Sequence, residues 1–141
     1  MSSASLAVAD LDGDGIAEIV AYGADGSTLA FKKTGTTWGL LWKAPRPASA
    51  PWTPCDQARC SLGWAGPSIH DLDDDGSPEV IREGVVFAAD GTLKAGPPPG
   101  YASYRQGLFP VIANLDADDP VELLLGGARE ARLLGHASEQ V

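Results

Sequence analysis

The chain is poor in the side chains that build soft-metal sites: one Met, two Cys and two His among 141 residues. Cys55 and Cys60 have no second ligand pair, and His70 and His136 lack a suitable spacing, which argues against a zinc framework. Long apolar runs are missing as well. None approaches the roughly 18–20 residues that a membrane helix needs, and no basic start followed by an apolar core opens the sequence. Met1-Ser2-Ser3-Ala4-Ser5 reads as a start placed near a domain boundary, with any targeting segment cut away. Basic residues are few and form no patch interleaved with aromatics, which argues against nucleic acid as a partner. Helical stretches are scarce too, because 17 Gly and 11 Pro interrupt most windows that could carry an i, i+3, i+4 stripe. Only the segment near Ala128 to Leu134 holds helix-friendly residues, and a strand fits there equally well. The expected class is all-β, in one domain of modest core.

What the chain does have is an acidic nine-residue loop, in three copies, each running into an apolar strand. The first is Asp10-Leu11-Asp12-Gly13-Asp14-Gly15-Ile16-Ala17-Glu18. The second is Asp71-Leu72-Asp73-Asp74-Asp75-Gly76-Ser77-Pro78-Glu79. The third is Asn114-Leu115-Asp116-Ala117-Asp118-Asp119-Pro120-Val121-Glu122. A lone Asp-Gly loop is most often an ordinary turn. Acids at matched positions in three copies point instead to metal binding.

These loops also locate the charge. The net charge is −9, yet the only acids outside the loops are Asp25, Asp56, Glu83, Asp90, Glu130 and Glu139, against ten Lys and Arg. The acidity therefore belongs to the loops and is not a general solvating surface.

Calcium takes six to eight oxygens, mixing carboxylates with main-chain carbonyls. Side chains at positions 1, 3 and 5 of a tight loop can converge on one point. A carbonyl at position 7 and an acid at position 9 close the cage. The expected ligands are Asp10, Asp12, Asp14, the Ile16 carbonyl and Glu18 in the first loop, and Asp71, Asp73, Asp75, the Ser77 carbonyl and Glu79 in the second. Gly15 and Gly76 at position 6 allow the sharp turn. The third set is Asn114, Asp116, Asp118, the Pro120 carbonyl and Glu122. It is expected to bind most weakly, with a neutral amide at position 1 and Asp119 in place of the glycine. Two to three calcium ions are anticipated. An EF-hand is excluded, since its position 12 requires a bidentate Glu, where this chain has Ala21, Arg82 or Leu125. Magnesium prefers water-rich octahedral sites and suits such carboxylate-rich loops less well.

The repeat unit is an apolar lead-in, the loop, an apolar strand and further strands joined by tight turns. Units are expected at about 4–43, 65–96 and 107–135, with hairpin turns at Asp25-Gly26 and Asp90-Gly91. An excursion at about 44–64 is rich in Pro and holds Cys55 and Cys60. A Cys-x4-Cys pair there either closes a small disulfide loop or stays as two reduced thiols; the disulfide is the expectation, and the calcium loops favour it.

The segments Val8 to Gly23, Ile69 to Arg82 and Ile112 to Gly127 resemble the FG-GAP or VCBS repeat. That repeat builds the calcium-binding β-propellers of integrin α-subunits, certain lectins and many bacterial surface proteins. Position 9 is commonly Asp in that family, whereas Glu18, Glu79 and Glu122 stand here. The resemblance implies four antiparallel strands per repeat, hence three propeller-type blades. Three cannot close a ring, so the chain is either part of a longer propeller or assembles, for instance as a dimer completing six blades.

Three functional classes follow. One is an extracellular or cell-surface (or periplasmic) module binding a glycan or protein ligand, with Trp52 and Trp64 beside the cysteine loop as the better stacking candidates. Trp38 and Trp42 are expected to pack between blades, and Tyr101 and Tyr104 complete the aromatic set. Another is a calcium-rigidified scaffold. The third is a fragment of a propeller-type polysaccharide lyase, for which His70, His136, Glu83, Arg82 and Arg105 are the available groups. No Ser-His-Asp set, phosphate-cradling loop or paired carboxylate stands outside the acidic loops, so the expectation is a non-enzymatic module.

Overall fold

Among the described residues, eleven strands form three antiparallel sheets whose order follows the chain. The structure, a computed structural model, describes residues 6–23, 25, 27–45, 66–82, 85–96, 110–115, 121–126 and 131–134. The first sheet is β1 (Ala7–Ala9), β2 (Glu18–Tyr22), β3 (Thr28–Thr34) and β4 (Thr37–Ala44). The second is β5 (Ser68–His70), β6 (Glu79–Arg82), β7 (Val85–Phe87) and β8 (Leu93–Ala95). The third holds β9 (Pro110–Ala113), β10 (Glu122–Gly126) and β11 (Ala131–Leu134), three strands among the described residues where four were expected. Among the described residues every regular element is a strand. No helix among them is long and apolar enough to cross a membrane.

Each sheet is a meander in which every strand pairs with its neighbour in sequence, so tight turns set the register. Tyr22 pairs with Thr28 around the Asp25 turn, where Asp25 accepts from the Ser27 amide at 3.0 Å and Lys43 closes an ion pair at 2.6 Å. Lys43 first, then Ser27, holds the Asp25 carboxyl well below the usual carboxylate range. At the other expected turn, the Gly91 amide donates to the Ala88 carbonyl at 2.9 Å. Gly91 takes a φ of 84° there, and a Cβ on it would lie 2.7 Å from the Trp42 ring. Glycine is needed both for conformation and for space.

The three sheets pack in sequence. Val20, Ala30 and Ala44 of the first face Val80, Val85 and Phe87 of the second in one core, with Leu11. Ile81 and Val86 of the second sheet, with Leu72, join Leu123 of the third in another. The middle sheet is thus covered on both faces, which is why Glu79–Arg82 and Val85–Phe87 are buried throughout. The uninterrupted apolar run at Val85-Val86-Phe87 is the sequence trace of that arrangement. Trp42 ties the first interface, donating its Nε1–H to the Ala89 carbonyl at 2.8 Å.

Trp38 departs from the expectation of packing between sheets: it is 46% exposed. Trp38 and Trp42 have the same parity, so a regular strand would turn both to one face. A bulge changes this. Ala30 pairs with Trp42 but Phe31 pairs with Leu40, leaving Leu41 as the extra residue. The bulge moves Trp38 and Leu40 to the outer face, in register with Lys33 and Phe31. Trp52, Trp64, Tyr101, Tyr104 and the pair Cys55 and Cys60 lie outside the described residues.

Candidate metal centres

Each loop leaves the first strand of its sheet and returns along the next, so its first and ninth residues are brought together by strand pairing. Ala9 pairs with Glu18 across β1 and β2, and His70 with Glu79 across β5 and β6. The turns between them need left-handed backbone. Gly15 and Gly76 at position 6 have φ of 83° and 86°. Position 4 needs it too, which sequence reasoning did not ask for: Gly13 has φ 73° and Asp74 has φ 53°. Aspartate tolerates that region better than most residues, because its short side chain can bond locally.

Position 1 organises the loop from within. Asp10 accepts the amides of Gly13 at 2.8 Å, Asp14 at 3.2 Å and Gly15 at 2.8 Å. Asp71 repeats this with Asp75 at 3.1 Å and Gly76 at 2.8 Å. Position 5 accepts the position 7 amide, Asp14 from Ile16 at 2.8 Å and Asp75 from Ser77 at 2.7 Å. The Asp14 carboxyl is held below the usual range, chiefly by Lys32 and then by the Ile16 amide.

Position 9 is the least expected. Glu18, Glu79 and Glu122 are among the most buried side chains described, at 0%, 2% and 2% exposure. In each, Oε2 accepts the amide of position 2: Leu11 at 2.8 Å, Leu72 at 2.9 Å and Leu115 at 2.7 Å. This latch ties the loop's entry to its exit. Sequence reasoning assigned Glu to metal alone. The uniform Glu, where the resembling family commonly has Asp, was the available signal: one oxygen must reach back across the loop.

In Glu18 the other oxygen is left over for something else. Oε1 of Glu18 is buried without a hydrogen-bond partner. One ligand atom each from Asp10, Asp12 and Glu18 lies within 4.8 Å of the others, and Asp71, Asp73 and Glu79 form the same cluster in the second loop. An unpartnered carboxylate oxygen in a low-dielectric setting is costly unless a cation meets it. These residues fit a metal ion, with hard oxygen donors only. Asp14 and Asp75 stand outside the clusters. Asn114 precedes the Leu115 amide latched by Glu122, while Asp116, Asp118 and Pro120 lie outside the described residues.

Two lysines that sequence reasoning passed over complete the electrostatics. Lys32 on β3 bridges Asp12 and Asp14, the latter at 2.6 Å. Lys94 on β8 bridges Asp73 at 3.0 Å and Glu79 Oε1 at 2.7 Å. Both ammonium groups are stabilised well above the ordinary lysine range, Lys32 chiefly by Asp12 and Lys94 chiefly by Glu79. Lys32 was legible. The Asp25 turn pairs Ile19 with Phe31, so the next position sets Lys32 beside Glu18.

Among the groups considered for catalysis, Arg82 is buried, its guanidinium 4.1 Å above the Tyr22 ring and its Nη1 3.5 Å from Thr28 Oγ1. It is a packing element of the first interface. His70 is exposed on β5; Glu83, Arg105 and His136 lie outside the described residues.

Residues 3–40 match the family model of the FG-GAP repeat. That stretch holds the first loop and the strands from β1 into β4, in agreement with the resemblance drawn from the loops. No curated protein and no solved structure gives a significant match.

Proposed function

We propose that the chain is a non-catalytic, calcium-binding β-propeller repeat module of an extracellular or cell-surface protein, in which the ion stabilises each blade. The observation that carries this reading is the buried, unpartnered Oε1 of Glu18, a residue that clusters with Asp10 and Asp12. Calcium is the ion of choice because every donor is a hard oxygen and the loop mixes carboxylates with backbone. Bound there, it supplies positive charge to a carboxylate that the fold has already desolvated. The proposed ligand sets remain Asp10, Asp12, Asp14, Ile16 and Glu18, then Asp71, Asp73, Asp75, Ser77 and Glu79, with the third loop following the same pattern.

The test is a calorimetric titration of chelator-stripped protein, with thermal melts with and without calcium. With free calcium about 100-fold above Kd, each site adds roughly 2.7 kcal/mol to stability, provided the unfolded chain does not bind. The expected result is binding at micromolar to millimolar affinity and a clear rise in melting temperature. An absence of heat together with an unchanged melt would sink the calcium reading.

The blades serve a ligand-binding or adhesive role in this reading, toward a glycan or a protein, with a solely structural scaffold as the second reading. The latch favours the scaffold, since it stiffens the loop whether or not a ligand is bound. A further blade is expected on each side of the chain. Leu11 and Leu72 at loop position 2 lie in the cores between successive sheets, but Leu115 is 57% exposed. At the other end Val8, Ile19, Phe31 and Leu40 stand in one register row, with Val8 and Leu40 exposed. A second copy, its third sheet on the first sheet of its partner, covers both and completes six blades. Sedimentation of the chain at micromolar concentration is expected to give a dimer; a strict monomer would discard the second copy as the occupant.

A further inference from the structure

The two described loops share a sequence pattern, a turn geometry and a latch, yet differ at one oxygen. Oε1 of Glu18 has no hydrogen-bond partner. The equivalent Oε1 of Glu79 takes the Lys94 ammonium at 2.7 Å, and the same ammonium reaches Asp73 at 3.0 Å. Asp73 and Glu79 are two of the three members of the second cluster. Lys94 therefore sits among the oxygens that would surround an ion. Lys32 does something else in the first loop: it meets Asp12 and Asp14 on the exposed rim and leaves Asp10 and the buried Glu18 oxygen alone.

A backbone irregularity explains the difference. Phe87 pairs with Leu93 and Val86 with Ala95, so Lys94 is the extra residue of a β-bulge. Bulges re-aim a side chain that a regular strand would turn elsewhere. Lys94 lies two strands away from Glu79 in the sheet order and still reaches it. Lys32 stands instead on the third strand of its sheet, paired with Gly39, and is not itself the extra residue of a bulge.

We propose that Lys94 is an intramolecular cation of the second loop, which competes with a divalent ion and makes this loop the weaker metal site of the two. The inference rests on the calcium reading above and ranks the loops within it. A metal entering the first loop displaces Lys32 only from the exposed carboxylates of Asp12 and Asp14, and it meets a buried Glu18 oxygen that lacks a partner and gains the whole of that interaction. A metal entering the second must first displace an ammonium that already neutralises the matching oxygen, so its net gain is smaller. The sequence does not rank these two loops, and the second even carries one more acid, Asp74.

The test follows calcium titration of the full chain by amide resonances, with Leu11 and Leu72 reporting the two loops because their N–H groups are held by Glu18 and Glu79. In the unaltered protein the Leu11 signal is expected to move first, and the Leu72 signal to need about tenfold more calcium. In Lys94→Met the Leu72 signal is expected to move into the same range as Leu11, while Lys94→Arg leaves it high. Leu72 moving with or before Leu11 in the unaltered protein would overturn the proposal, and this outcome needs no variant to fold. The expected order with no change in Lys94→Met would overturn it too, placing the cause elsewhere. Neither signal moving would remove the calcium reading itself, a result distinct from the other two.

Discussion

Phe87→Ala lowers the unfolding free energy by about 3–5 kcal/mol, the usual cost of removing a buried aromatic whose cavity cannot collapse. Phe87 is 2% exposed, at the centre of the core between the first and second sheets with Val20, Ala30, Val80 and Val85. Strands on both sides are fixed by their own ladders, so the sheets cannot close over the void. The loss is a large share of the stability of a domain this size, and urea denaturation at fixed calcium reads it. A further outcome distinguishes interface from sheet. Since Val86 faces the other core, the second interface is expected to keep its packing. A change below about 1 kcal/mol would mean that the first two sheets do not bear on each other through this residue.

Glu18→Ala has the second large effect, and it divides into two parts. The first is independent of metal: the Leu11 amide loses its acceptor in a buried position, at about 1–3 kcal/mol. The second appears only in calcium, where roughly 2.7 kcal/mol of linkage per site disappears at 100-fold saturation. Glu18→Gln separates them, because an amide oxygen still accepts the Leu11 N–H while the charge is gone. The glutamine variant is expected to match the unaltered protein within about 1 kcal/mol in chelator, and to lose most of the calcium response. If Gln is as damaging as Ala in chelator, the latch is not the source of the first part. If Gln keeps the calcium response, Glu18 is not a ligand.

Much of the architecture could be read from residues. The acid spacing located the loops, the Asp-Gly dipeptides at 25–26 and 90–91 located two turns, and the run at Val85 to Phe87 signalled a strand buried on both faces. The features that could not be read share a cause. The Glu latch binds a backbone N–H, and backbone groups leave no mark in a side-chain pattern. Trp38 and Lys94 were misjudged or missed because bulges at Leu41 and Lys94 break the period of two on which face assignments rest. The left-handed Asp74 escaped notice because aspartate is abundant in these loops for another reason. Arg82 read as a group available for catalysis only while its place in the interface with Tyr22 was out of view.

The strictly sequential order of strands has a consequence for how such a chain can lengthen. Every ladder joins neighbours in sequence, and each core joins one sheet to the next. Stability then accumulates sheet by sheet, as a sum of units and of the interfaces between adjacent ones, much as in a linear array. Adding or deleting a whole unit alters one interface and leaves the others as they were. Duplication of a gene segment one unit long would therefore meet little resistance at the interfaces within the chain, and the limit on the number of units comes from ring closure, while the loop chemistry inside each stays the same.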